Sequence, residues 1–332
     1  MTPSRSRRTR GGTVAGFAAL CLLLAACRGG NKPDETVEPA PTPSSDAGQC
    51  GRLTLAYDPG KGYEPSAFVV GGIAEAELGC EVVYRKTTSR QAWRLVARGK
   101  ADAYLDAYGN EDLREKVTRP KGSVTVVGPN GIHGGVRLVV PSFMYDLGLR
   151  TFRDLGDTAR IGWGSTPPVL TTLPELRALA EAAVDFSELD YEVRDYGTVQ
   201  PTATMGDLLT ASSFDDSHKL PNVYVIEGPR SLLASRPGRE IIEIPESAVS
   251  GCVPDRHTTL CSSADFTYEK IVSKELSTSS SPAYNLIYNY RLGRESAGDI
   301  LQLVDLSGYR FNAADASSWI NTHEEIWRLW LQ

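Results

Sequence analysis

From residue 51 the apolar positions change period every few residues. RLTLAYD runs as a strand, SAFVVGGIAEAEL has helical spacing, EVVYR is a strand, SRQAWRLVARG a helix and ADAYLDA a strand again. SVTVVG and GGVRLVVP follow as further strands. Near residue 159 a second alternation begins: ARIGWG (strand), PPVLTTLPELRALAEAA (helix), LDYEVRDY (strand), TATMGDLLTASS (helix) and NVYVIEG (strand), with GREIIEIPES as a strand leaving it. After the loop CVPDRHTTLC come FTYEKIVSKEL and three helical stretches, PAYNLIYNYRL, AGDILQLVDL and ADASSWINTHEEIWRLWL. In the last, Trp319, Ile320, His323, Ile326, Trp327 and Trp330 recur at helical spacing, which core packing of a C-terminal helix explains. Strand and helix in alternation predict an α/β protein built of parallel sheets flanked by helices.

In open parallel sheets ligands bind beyond the carboxyl ends of the strands, and two such units facing each other enclose one cleft. Asp58 and Tyr63 follow the first strand. Asp106 and Tyr108 end the third, just before Gly109-Asn110. Trp163, Gly164, Ser165 and Thr166 end the first strand of the second unit, and Glu227 ends another. These are candidate cleft residues, although strand ends also carry polar groups merely as caps.

The N-terminus adds an address. Four arginines in the first ten residues precede the apolar run TVAGFAALCLLLAAC, which is short for a transmembrane span and reads as an export signal over residues 1–26. Its end, Leu24-Ala25-Ala26-Cys27, resembles a bacterial lipobox, with Cys27 as the lipidated residue. The stretch to residue 49 is rich in Pro, Ser and acids, and is expected to be a disordered tether. The protein is thus expected at the outer face of the cell membrane, held by lipid.

Composition narrows the partners. The 332 residues are 41% hydrophobic and 23% charged, with a formal charge of −6, and the basic residues at the extreme N-terminus make the remainder more acidic still. That balance argues against nucleic acid, which needs a basic face. Cys50, Cys80, Cys252 and Cys261 suggest two disulfides in an exported protein. Three pairings are open. If the strands after Cys50 and Cys80 are parallel neighbours, those two cysteines fall within bridging reach, leaving Cys252 and Cys261 to close their own short loop. With no CxxC and only His257 nearby, a metal site is not expected.

Enzymatic motifs are incomplete. GWGST lacks the closing glycine of a nucleophile elbow, no HExxH occurs among the four histidines, and GPNGIHGG has no Gly-Lys-Ser/Thr to close a phosphate loop. The last segment reads as a turn near a hinge, with His133 a loop residue. No enzyme activity and no cofactor are expected.

Several segments together resemble one family. GKADAYLDAYGNEDLREKV, GPNGIHGGVRLVVPSFMYD and AADASSWINTHEEIWRLWL, in this order, are similar to segments of the glycine betaine/proline betaine/choline-type substrate-binding proteins of ABC transporters, and KIVSKEL and PAYNLIYNYRL fit between them. The resemblance spans roughly residues 52–331. It implies a type II periplasmic-binding-protein fold with a two-crossing hinge: lobe 1 from residues 51–136 and 240–332, lobe 2 from 137–239. It implies a monomer that encloses a quaternary ammonium osmoprotectant between its lobes and delivers it to an ABC permease.

The resemblance also implies an aromatic cage, because ring faces attract a cation that cannot donate hydrogen bonds. Tyr108 stands where the family has a cage tryptophan, and GWGSTPP occupies the place of the segment that meets a ligand carboxylate. The tryptophans expected in the second lobe are missing from NVYVIEGPRSLLA. The cage is therefore either rebuilt from Tyr57, Tyr63, Tyr108 and Trp163 or absent, in which case Asp106 and Glu227 suit an amine and Arg230 a carboxylate. A sensing lipoprotein of the same fold is the further alternative, and a secreted hydrolase the remote one.

Overall fold

Each clear change of hydrophobic period becomes a change of element. The computed structural model describes residues 50–59, 64–157, 168–198, 204–234, 236–244 and 265–332. Cys27, Tyr63, the ARIGWG strand, Trp163 to Thr166, Cys252 and Cys261 lie outside them. Ser45–Gln332 forms one compact unit.

The first alternation appears as β1 (Arg52–Tyr57), α1 (Glu64–Leu78), β2 (Glu81–Lys86), α2 (Ser89–Ala97), β3 (Ala103–Ala107) and α3 (Glu111–Thr118). α2 is capped by Thr88, whose hydroxyl accepts from Gln91 N, and it buries only Ser89, Ala92, Trp93 and Val96. α1 is apolar along most of its length and is buried accordingly.

β4 (Val124–Pro141) then runs unbroken through GPNGIHGG, which the sequence suggested as a turn. Register shifts at Val126/Gly128 and Pro129/His133 absorb the irregularity as bulges. Gly131 makes this possible: its φ is +95°, and a Cβ there would lie 1.9 Å from Leu292 O. α4 (Ser142–Asp146) follows. The run read as one helix from Pro167 is in fact β5 (Val169–Thr172), a 3-10 turn begun by Pro174, and α5 (Arg177–Phe186). The β-branched Val169, Thr171 and Thr172 favour the strand, and the proline resets the chain before the helix.

The rest is β6 (Glu192–Asp195), α6 (Met205–His218), β7 (Val223–Pro229), β8 (Arg239–Glu243), β9 (Asp265–Ser273), α7 (Lys274–Thr278), α8 (Pro282–Asn289), α9 (Arg294–Leu306), α10 (Ala313–Thr322) and α11 (Glu324–Trp327). The C-terminal helix read as continuous is broken at His323, where φ −128° and ψ 35° leave the helical region. Trp319, Trp327 and Trp330 are all buried in the core, as their spacing suggested.

The strands form one sheet in the order β2-β1-β3-β9-β4-β7-β5-β6, with β8 also on β4. β2-β1-β3 and β7-β5-β6 are parallel groups, as the alternation requires. Between them β9 and β4 pair antiparallel to each other and to their neighbours. One apolar cluster is drawn wholly from residues 136–244, while the largest joins α1 and the C-terminal helices to α6 and β7. Tyr108 and Phe266 pack against both clusters. They sit where the two parallel groups meet.

Candidate functional site

The carboxyl ends of β1 and β2 and the N-terminus of α6 border a cleft of about 990 Å³. β1 delivers Tyr57 and Asp58 to it, α1 delivers Glu64 and Phe68, and the chain entering α2 delivers Thr88. Across it stand Thr204 and Asp207 at the start of α6, and Tyr309, Arg310 and Phe311 from the loop after α9. The start of α6 is closed by a capping box: Thr204 N donates to Asp207 Oδ2 at 2.7 Å, and Asp207 N to Thr204 Oγ1 at 3.3 Å. The Thr-x-x-Asp pattern was visible in TATMGD.

The cleft combines rings with carboxylates. Tyr57 and Phe68 have centroids 5.3 Å apart, and Phe311 lies 6.5 Å from Phe68. Glu64 is 5% exposed, and its Oε2 has no hydrogen-bond partner among the described residues. Burial pushes its carboxyl up to about 8, and the charges of Asp58 and Asp106 push the same way, against a backbone hydrogen bond and Lys86. Tyr57 is raised by burial and then by Glu64, which places the phenol and the carboxyl in one electrostatic environment. Asp58 is held differently: its Oδ2 accepts from Ser89 N, the first residue of α2, at 2.6 Å.

Tyr108 is tied to this wall through its backbone. Asn110, in the left-handed conformation, donates from Nδ2 to Tyr108 O and to Ser89 Oγ. The Gly109-Asn110 break thus fixes the end of β3 against the start of α2. The Tyr108 ring stacks on Phe266 with centroids 3.4 Å apart and meets the edge of Tyr268 at 5.9 Å. Burial and then the charge of Glu227 raise its hydroxyl, so β7 brings Glu227 toward it.

Asp106 points elsewhere. It is 2% exposed and accepts from Ser66 Oγ and from Asn130 Nδ2 at 2.9 Å, while Tyr290 OH donates to Ser66 Oγ at 3.0 Å. Burial pushes its carboxyl up to about 8, against the two hydrogen bonds. It ties β3, α1, β4 and the end of α8 together.

Of the residues singled out in the sequence, the structure therefore gathers Tyr57 and Asp58 in the open cleft, stacks Tyr108 behind them near Glu227, and turns Asp106 into the core. Arg230 reaches Asp265 at 3.7 Å. Sequence reasoning missed Glu64, Phe68, Phe266, Tyr309 and Phe311. Glu64 precedes Pro65 at a helix start, a signal of position but not of chemistry; the others are single aromatics without a pattern. The ring faces suit a soft cation, and Lys86 and Arg310 on the rim suit an anionic group. Among the described residues no cluster of His, Cys, Asp and Glu could hold a metal ion, and no helix is long and apolar enough to cross a membrane.

Residues 51–195 match the family model described as the substrate binding domain of ABC-type glycine betaine transport systems. No curated protein matches the chain. Among solved structures, lactococcal OpuAC, closed around glycine betaine, is similar with a TM-score of 0.64 and 18% identity over 85% of this chain and 100% of that chain. The glycine betaine/L-proline-binding protein ProX of Borrelia burgdorferi gives 0.63 and 14% over 85% and 97%. A choline-binding protein of an ABC transporter, in complex with choline, gives 0.64 and 15% over 85% and 92%. At these identities the likeness is one of fold, and the fold is the type II periplasmic-binding-protein fold.

Proposed function

We propose, starting from the match of residues 51–195 to the family model of the substrate binding domain of ABC-type glycine betaine transport systems, that the chain is the extracytoplasmic solute-binding protein of an ABC importer for a quaternary ammonium solute. The observation that carries the reading to this chain's own residues is the cleft, where Tyr57, Phe68 and Phe311 present rings beside the buried carboxyl of Glu64. A methylated ammonium cannot donate a hydrogen bond. It is held instead by ring faces, each contributing about 0.5–2 kcal/mol when desolvated.

In this reading lobe 1 is residues 51–136 and 240–332 and lobe 2 is 137–239, joined through β4 and the return to β9. Contacts that need both lobes exist only when the cleft is closed, so solute shifts the population toward closure and the permease reads that state. Nothing in the cycle requires covalent chemistry. In this reading the chain is exported, lipidated at Cys27 and monomeric, and Tyr63 and Trp163 to Thr166 are proposed as further ligand contacts.

Between solutes, Glu64 favours one that brings a donor. Its Oε2 is an acceptor without a partner, and the hydroxyl of choline or the N–H of a protonated amine satisfies it where glycine betaine does not. Isothermal titration of the body with choline, glycine betaine, proline and lysine tests both statements. Choline is expected to bind most tightly. Binding of lysine alone would move the site to primary amines, and silence with every methylated ammonium would remove the reading.

A further inference from the structure

The strands of the first parallel group begin at one edge of the sheet, opposite the cleft. Glu81 N donates to Gly51 O, Asp102 N to Thr54 O, Ser273 N to Asp102 O and Lys274 N to Ser123 O, which stitches the loops of that edge into one surface. This edge carries Arg52, Arg98, Lys100, Arg119, Lys121 and Lys274, all exposed. Glu77, Glu81 and Glu275 are exposed carboxylates at the same edge, and the half-buried Asp102 accepts there from Thr54 N at 2.7 Å. The excess is cationic, in a chain whose formal charge is −6. Between α2 and α3 a groove of about 310 Å³ is bordered by Arg90, Arg94, Arg98 and Lys116, with Asp112 paired to Arg90 at 2.6 Å.

The same edge receives the N-terminal segment. Residue 50 lies there, and the Cys50–Cys80 disulfide ties the entry of β1 to the entry of β2. Residue 50 is the first described residue, so the Pro- and Ser-rich residues 28–49 precede this edge in sequence.

We propose that this basic edge is a docking surface for the anionic phospholipid headgroups of the membrane to which the chain is tethered. The proposal rests on the exported, lipid-anchored reading above. Clustered Lys and Arg beside a membrane attachment are drawn to anionic leaflets within a Debye length, and a tether keeps them at that range. The edge lies at the far end of the strands from the cleft, so docking leaves the cleft open to solute.

The test uses the body alone, residues 45–332, so that no lipid or signal segment contributes. Vesicles of phosphatidylcholine and phosphatidylglycerol in roughly equal parts are floated with it, against vesicles of phosphatidylcholine only. The expected result is roughly tenfold more protein on the anionic vesicles, falling as salt is raised. The charge reversal R98E/K100E/K121E abolishes the difference, and R119E/K274E, at the same edge, reduces it. Equal flotation on the two vesicle types, or anionic flotation that survives both reversals, overturns the proposal. Solute titration of the same variants keeps the two readings apart: unchanged solute affinity shows a folded cleft whatever the vesicles report, and vesicle binding without solute binding would leave the surface standing and remove the transport reading.

Discussion

Glu64 is neutral at pH 7 in the empty cleft, because burial has carried its carboxyl from 4.5 to about 8. A cation seated beside it favours the ionised form, so solute binding expels a proton. Affinity for choline is therefore expected to rise from pH 6 to pH 8 and then level off, and Glu64→Gln is expected to flatten that slope. Titration in buffers of different ionisation enthalpy counts the proton directly. The empty protein moves the other way. The folded state binds protons that the unfolded chain has lost, for Glu64 from 4.5 and for Asp106 from 3.8, each up to about 8. Their stabilising effect is complete in acid and disappears as pH rises through 8, so the melting temperature should fall from pH 5 to pH 9 and fall less in Asp106→Asn. Tyr57→Ala should weaken choline binding by roughly 2- to 30-fold with little change in melting temperature. Tyr108→Ala, which unstacks Phe266, should instead lower stability by about 2–4 kcal/mol in urea. A Tyr108 variant of normal stability and lost affinity would return that ring to the ligand.

Among the elements, the most exacting position is Gly131 in β4. Gly131→Ala puts a methyl on Leu292 O at a backbone angle that side chains avoid, and should cost about 3 kcal/mol by chemical denaturation. The Cys50–Cys80 bond closes a 30-residue stretch, and Cys50→Ser with Cys80→Ser should lower stability by about 3–4 kcal/mol. Both features were partly legible in the chain. The cysteines precede strands of a clear β-α-β unit, so parallel pairing of β1 and β2 brought them to one edge. The glycines of GPNGIHGG signalled positive φ but not whether the chain turns or bulges, and only pairing with β9 decides that. VLTT was lost inside a helix because four residues are too few to show an alternation. The cleft was legible where a strand ended on an acid or a ring, as at Tyr57-Asp58. It was illegible where a single residue arrives from a distant loop, as Phe311 does, because no local spacing encodes that approach.

At the scale of the molecule, two parallel groups are held together by β4 and β9 on one side and by side chains on another. Asp305, at the end of α9, meets Arg236 at 3.6 Å and Arg239 at 3.8 Å and accepts from Tyr309 OH at 2.7 Å, while the Tyr309 ring fills the space a Cβ at Gly206 would need. Asp305, Arg236 and Arg239 do not border the cleft, and in the two-lobe reading proposed above their contacts would favour the closed arrangement. Asp305→Asn is expected to lower choline affinity severalfold by reducing the closed fraction, and small-angle scattering of the solute-free variant should report a larger radius of gyration. Affinity and radius both unchanged would mean the contact has no part in closure. The disulfide at the strand-start edge has a mechanical consequence as well. In the lipid-anchored reading proposed above, the body would be pulled whenever the surface moves past the surrounding fluid or cell wall, and the pull would arrive at Cys50. Because that residue is bonded to Cys80, the load reaches the starts of β1 and β2 together, so β1 cannot be peeled from β2 at this edge. The 29 residues between the cysteines, with β1 and α1 among them, are about 100 Å of chain when extended, and that length cannot be drawn out by the pull until the bond is reduced.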